Sequence, residues 1–204
     1  MSDRANVLKR SLGLALLLAA LPLPAWAHEQ AGVGGGFISG FLHPLFGPDH
    51  VIAMVAVGLW GAQLRAPAIW MLPINFPLIM ALGGMLGVLG VPVPSVEIGI
   101  AVSGIALGLM VAFAARPPLW AAMVLVGLFA IFHGHAHGTE LPEAVSPLAF
   151  GVGFVLATGL LHLSGIALGV LTAKPIGAQA VRVCGGLIAV LGGYFLIAAL
   201  GLVA

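Results

Sequence analysis

The sequence predicts an all-α integral membrane protein, a bundle of six transmembrane helices behind a cleaved signal peptide. Three observations predict it. The 204 residues are 61% hydrophobic and only 6% charged, against about 25% charged in a soluble domain. Apolar stretches close to the roughly 20 residues that cross a bilayer recur along the chain, separated by Pro, Gly and charge. The ionisable residues are few and gathered at particular span ends. In lipid every backbone polar group must be paired internally, so such a chain is expected to form helices.

Residues 1–27 read as a secretory signal peptide. Arg4, Lys9 and Arg10 supply its positive start, Ser11 to Leu23 its apolar run, and Ala25-Trp26-Ala27 a small-x-small cleavage site. An uncleaved first span is the alternative, but the run is short for one and Pro22 and Pro24 interrupt it. Cleavage after Ala27 starts the mature chain at His28, outside the cytoplasm. The amine and imidazole of His28 could there chelate a metal together.

Residues 28–204 form one membrane domain, with candidate spans at 33–62, 68–91, 96–115, 118–138, 146–172 and 180–204. The first is long and holds Pro44, Gly47 and Pro48. Each proline removes a donor and frees a carbonyl one turn back, so a kink or unwound turn is expected between His43 and His50. Two shorter segments, one re-entrant, are the competing reading. Arg65 falls between spans one and two, Arg116 between three and four, and Lys174 and Arg182 between five and six. All cations after residue 27 thus lie on one side, the cytoplasmic one by the positive-inside rule. Glu29, Glu97, Glu140 and Glu143 fall on the other, and both mature termini are then periplasmic.

Glycine is abundant, 30 residues, and pairs at four-residue spacing recur: Gly36/Gly40, Gly83/Gly87, Gly104/Gly108, Gly134/Gly138 and Gly165/Gly169. Such pairs make flat faces for close helix packing. The six spans can be divided three plus three; an odd number per half would invert the second half and make spans one and four equivalent.

Two constellations carry chemistry. His43 and His50 are seven apart, two turns of a continuous helix, with Gly47 between them and Met54 continuing the stripe. Asp49 lies a quarter-turn from His50, where a kink could rotate it in or its carboxylate could hydrogen-bond a ligand imidazole. In span four, His133, His137 and Glu140 can share one face. His135 points to the opposite side unless Gly134 and Gly138 loosen the helix. Imidazole, carboxylate and thioether suit divalent first-row metals; the structural alternative is a polar knot pinning helices. Ionisable groups in a span cost about 2.5–3.5 kcal/mol each at the bilayer centre by the lower estimates, which favours use over ornament. His162, near the middle of span five, is either a helix–helix hydrogen bond or a further ligand. Asn75, between Pro73 and Pro77, reads as a partner for freed backbone groups, and Glu97 as a helix-start carboxylate. Cys184 reads as a small buried hydrophobe.

The formal charge of +1 and the lack of a basic patch exclude nucleic-acid binding. No phosphate loop or nucleotide motif is present, so the chain carries no ATPase of its own and no fixed cofactor is expected. An intramembrane zinc hydrolase is the reading from another class, because His and Asp on facing helices can hold zinc and activate water.

The elements His43-x5-Asp49-His50 and Phe132-His133-Gly134-His135-Ala136-His137-Gly138-Thr139-Glu140 resemble the two signatures of the HupE/UreJ family of nickel permeases. The resemblance covers essentially the whole chain. The position of His135 is variable in the family motif. A spacing of five before the Asp-His pair, rather than four, separates it from the larger nickel-cobalt permeases. The resemblance implies a non-enzymatic inner-membrane permease whose cargo is Ni²⁺ (or Co²⁺) moving from periplasm to cytoplasm. It implies metal-site roles for His43, Asp49, His50, His133, His137 and Glu140. It also implies membrane lipid as surroundings and a functional link to the maturation proteins of hydrogenase or urease. The expected path runs from an outer group of His133, His137 and Glu140 to an inner group of His43, Asp49 and His50.

Overall fold

The computed structural model describes residues 32–141 and 146–202. The signal peptide, His28 and Glu143 lie outside them. Among the described residues there are seven α-helices and no strand: α1 Gly32–Phe46, α2 Pro48–Leu64, α3 Ala68–Val88, α4 Val96–Ala112, α5 Leu119–Thr139, α6 Pro147–Gly169 and α7 Pro175–Ala199. A short 3₁₀ turn, Val170–Ala173, extends α6. Proline sets several starts, because its missing N–H falls where a helix has no acceptor anyway. Pro48, Pro147 and Pro175 all stand at first-turn positions, and Ser146 Oγ adds a cap by accepting from Ala149 N at 3.4 Å.

Helices α3, α5, α6 with its 3₁₀ turn, and α7 are each long and apolar enough to cross a membrane. Helices α1 and α2 make a fifth span if the bent pair is counted as one; they meet at Gly47 with a bend of 79°. Helix α4 is apolar but shorter. The expected kink between His43 and His50 is therefore present, and it is sharp. Pro48 has no N–H to give to the Pro44 carbonyl, so the chain turns there. The seven-residue alignment of His43 and His50 on one helical face does not survive the turn. The helix expected over 180–204 begins at Pro175, so Arg182 stands inside α7. Its Nε nonetheless donates to the Ala112 carbonyl at 2.8 Å, at the end of α4 that precedes Arg116.

Helices α3 and α5 pack in parallel register, as do α2 and α6, and α4 pairs with α7 in antiparallel register. Glycines permit these approaches. A Cβ on Gly134 would collide with the Met80 carbonyl, one on Gly138 with that of Gly84, and one on Gly58 with that of His162. Side-chain polarity is turned inside out. Ile74, Leu78 and Leu82 on the outer face of α3 are 58%, 63% and 52% exposed, whereas His50, His133 and His162 are 1–2% exposed. Lipid is the solvent that stabilises this arrangement, and the chain is a multi-pass membrane protein. Around and beyond the histidines lies a packed apolar core that includes Trp60, Leu59, Leu72, Phe76, Leu107 and Val111.

Candidate metal centre

The turn at Gly47 and the end of α5 bring the two histidine motifs face to face. His137 occupies the centre. Its Nδ1 lies 3.0 Å from His43 Nε2, and its Nε2 lies 3.3 Å from His50 Nδ1. His50 Nδ1 is also 3.3 Å from His133 Nδ1. Glu140 Oε2 is 3.4 Å from His43 Nε2 and 3.8 Å from His137 Nδ1. Two donor groups result, His43/His137/Glu140 and His50/His133/His137, each with its ligand atoms within 4.8 Å of one another. Metal–imidazole bonds near 2.1 Å place adjacent ligand nitrogens roughly 3.0–3.4 Å apart, so the spacing suits a shared ion.

Hydrogen bonding fixes one lone pair directly. Ser103 Oγ donates to the Ile100 carbonyl at 2.6 Å, which commits its proton. It must then accept from His133 Nε2–H, 2.9 Å away. The Nδ1 of a neutral His133 is left as a lone pair facing His50. His50 Nε2 in turn lies 3.4 Å from Thr158 Oγ1, and donation there points the His50 Nδ1 lone pair at the same spot. Two facing lone pairs without a proton between them are satisfied by a cation.

A cavity of about 210 Å³ joins both groups; its lining includes His43, Asp49, His50, Glu97, His137 and Glu140. Exposure falls along it, from the half-exposed Glu140 to the buried His50 and His133. At its mouth, His137 first and His43 after it hold the Glu140 carboxyl below its ordinary range, so it is anionic where a cation would arrive. Acidic groups gather at this end and Arg65, Arg116, Lys174 and Arg182 at the other, as the sequence led us to expect.

The grouping differs from expectation. His43 sits with His137 and Glu140, and His133 sits with His50, because helices packed side by side match residues by depth and not by sequence neighbourhood. Asp49 lines the cavity but is in neither donor group. Its Oδ1 accepts the His50 backbone N–H at 2.8 Å in the first turn of α2, so it bonds main chain and not an imidazole. His135 points away on an unbroken α5 and meets the Val91 carbonyl at 2.8 Å. Met54 is fully buried in the apolar core, outside the cavity lining. Asn75 donates to the Met123 carbonyl at 3.0 Å and ties α3 to α5 instead of serving its own helix. His162 is buried outside both groups. Sequence reasoning did not single out Ser103 and gave Glu97 only a helix-start role. A carboxylate in the first turn of a span, at the end where the motif acids lie, was the available signal for Glu97.

The family model described as HupE / UreJ protein matches residues 15–195. The chain is 43% identical over 181 residues to "Protein HupE" of Rhizobium leguminosarum bv. viciae, covering 88% of this chain and 95% of that protein. No solved structure matches the chain. The family comprises transport-related proteins and not enzymes, which removes the zinc-hydrolase alternative. A multi-pass bundle with two histidine-rich donor groups, matched by this family model over most of its length, belongs to the HupE/UreJ family.

Proposed function

We propose that the protein is an inner-membrane permease that imports Ni²⁺, with Co²⁺ as the alternative cargo, from the periplasm to the cytoplasm for hydrogenase or urease maturation. In this reading the bent α1–α2 pair and the short α4 both span, giving six spans after the signal peptide. The basic end faces the cytoplasm by the positive-inside rule, and both mature termini are periplasmic. The helix pairings favour an inverted three-plus-three repeat. Exchanging span one with four, two with five and three with six carries the α3–α5 pair onto the α6–α2 pair and leaves α4–α7 unchanged.

The observation that carries the proposal is that His137 belongs to both donor groups through opposite ring nitrogens. A neutral imidazole offers a lone pair on one nitrogen and a proton on the other, so His137 serves one group at a time. An ion captured by His43, Glu140 and His137 Nδ1 at the half-exposed mouth exchanges water for these ligands. Moving the His137 ring proton from Nε2 to Nδ1 then frees Nε2 to join His50 and His133 in the buried group. Asp49 and Glu97 lower the cost of a dication in the cavity without binding it so tightly that it cannot leave. A dication gains about 4.6 kcal/mol crossing 100 mV, roughly a thousandfold accumulation, so the membrane potential and trapping by nickel enzymes are a sufficient drive. Arg65 and Arg116 discourage the ion from lingering at the inner face.

Uptake of radiolabelled nickel by whole cells tests the proposal. His50→Ala and His133→Ala, at wild-type membrane abundance, should abolish uptake above background. Uptake at the wild-type rate in both would overturn it.

A further inference from the structure

Below the two donor groups one polar side chain stands unexplained. His162 is 1% exposed; its ring has no well-formed hydrogen bond, and its one polar partner is the Pro73 carbonyl of α3. Buried polar groups are hydrogen-bonded in the great majority of cases, and an orphan calls for a reason. An imidazole with only that partner leaves its other nitrogen stranded between helices, where leucine would fill the space without the cost.

Its surroundings supply that reason. His162 lies one turn beyond Thr158 on α6, and Thr158 Oγ1 is 3.4 Å from His50 Nε2. Helix α6 runs away from the acidic end, so His162 is the deeper of the two. Beside it is the Pro73 carbonyl of α3. That oxygen has no helical donor, because the residue four positions on is Pro77, which lacks an N–H. The Phe76 ring stands at 5.6 Å from the His133 ring and 5.6 Å from the His162 ring, edge-to-face with both. An imidazole tied by one nitrogen to a backbone carbonyl and free at the other thus sits just past an aromatic ring from the buried three-histidine group.

We infer that His162, oriented by the Pro73 carbonyl, is a third and innermost coordination station that takes a divalent transition-metal ion from His50 and His133 on its way inward. The inference rests on the permease reading above. An imidazole nitrogen suits Ni²⁺ and Co²⁺, and a ligating imidazole commonly gives its other N–H to a backbone carbonyl. A site of few ligands holds the ion more loosely than the three-imidazole group, as an exit station must. Phe76 separates the two stations, and its side chain must move for the ion to pass.

The test compares wild type, His162→Leu, His162→Cys and His50→Ala at matched membrane abundance. It uses radiolabelled nickel uptake in cells and nickel binding to detergent-purified protein. His162→Leu should fold and bind nickel at the upper groups within about twofold of wild type, yet import roughly tenfold more slowly, in line with the 10–100-fold losses typical of residues supporting a metal site. His162→Cys should recover part of the rate and shift the nickel-to-cadmium uptake ratio toward cadmium, because a thiolate prefers the softer ion. Wild-type import by His162→Leu overturns the station, and so does a loss of import matched by an equal loss of binding at the upper groups. If His162→Leu fails to reach the membrane, His162→Cys carries the test alone, and an unchanged nickel-to-cadmium ratio overturns the station. If His50→Ala also imports normally, the permease reading itself falls. If His50→Ala is inactive while His162→Leu is normal, only the station falls.

Discussion

The two ends of the bundle are built from opposite chemistry. The acidic end holds a cavity of about 210 Å³ lined by imidazoles and carboxylates. The basic end holds no donor group among the described residues and is closed by side chains that donate to carbonyls at and just after the end of α4. Trp60 Nε1 donates to the Ala115 carbonyl at 2.9 Å, Gln63 Nε2 to Val111 at 3.0 Å and Arg182 Nε to Ala112 at 2.8 Å. A helix end leaves four carbonyls without intrahelical partners, and in lipid no water is available to take them. The N–H donors of Trp60, Gln63 and Arg182 at the basic end are therefore spent on the backbone. His43, His50, His133, His137 and Glu140 at the acidic end face one another and a cavity. The difference separates polar residues that hold the fold from those that are free to hold a cargo.

Four predictions press on that contrast, in order of decreasing effect. His133→Ala should lower nickel uptake by about a hundredfold or more, beyond the upper range for a residue that only supports a site; uptake within threefold of wild type would erase the distinction between the ends. Next, Gly134→Val drives a side chain into the Met80 carbonyl, a backbone contact that cannot yield as a flexible side chain can. It should cost about 1–3 kcal/mol, read as a lower unfolding midpoint in detergent, with uptake falling because His133 and His137 lose their register.

Trp60→Phe keeps an aromatic ring but removes the indole N–H that donates to Ala115, together with a little buried volume. It should cost about 1 kcal/mol of stability and leave the apparent affinity for nickel unchanged; a clear change in affinity would mean that the basic end takes part in capture. The smallest effect concerns Glu140. Its folded-state carboxyl is held low, by His137 first and then His43, so it adds stability that is present above the ordinary carboxyl range and lost as pH falls through the folded value. Glu140 is 54% exposed, so the contribution is under about 1 kcal/mol. The unfolding midpoint of Glu140→Gln should lie slightly below wild type at neutral pH, and the gap should close in strong acid. A gap that persists undiminished in strong acid would contradict the placement of Glu140 beside His43 and His137.

Both histidine motifs, the break near Gly47 and the clustering of cations at one end were legible in the sequence. Each is a local property: proline removes a donor wherever it stands, and charge must sit at a span end whatever the neighbours are. The opposed direction of His135 was likewise readable from helical spacing. The partnership of the motif residues was not. His43 and His50 are near in sequence, yet the 79° bend sends them to different donor groups, because the angle of a break depends on what each half packs against. Spacing left Asp49 as either a ligand or a carboxylate bonded to an imidazole; in the structure its Oδ1 accepts the His50 backbone N–H.

The sequence by itself determined that the chain is a membrane helical bundle and which side chains are costly enough in lipid to need partners. Only the tertiary structure decided which of them meet: that His137 stands between two donor groups, that Ser103 orients His133, and that His162 is buried beside the Pro73 carbonyl without a side-chain partner. Hydropathy and spacing act along one helix, whereas coordination requires atoms from separate helices at equal depth. That depth is set by glycine contacts between helices far apart in sequence.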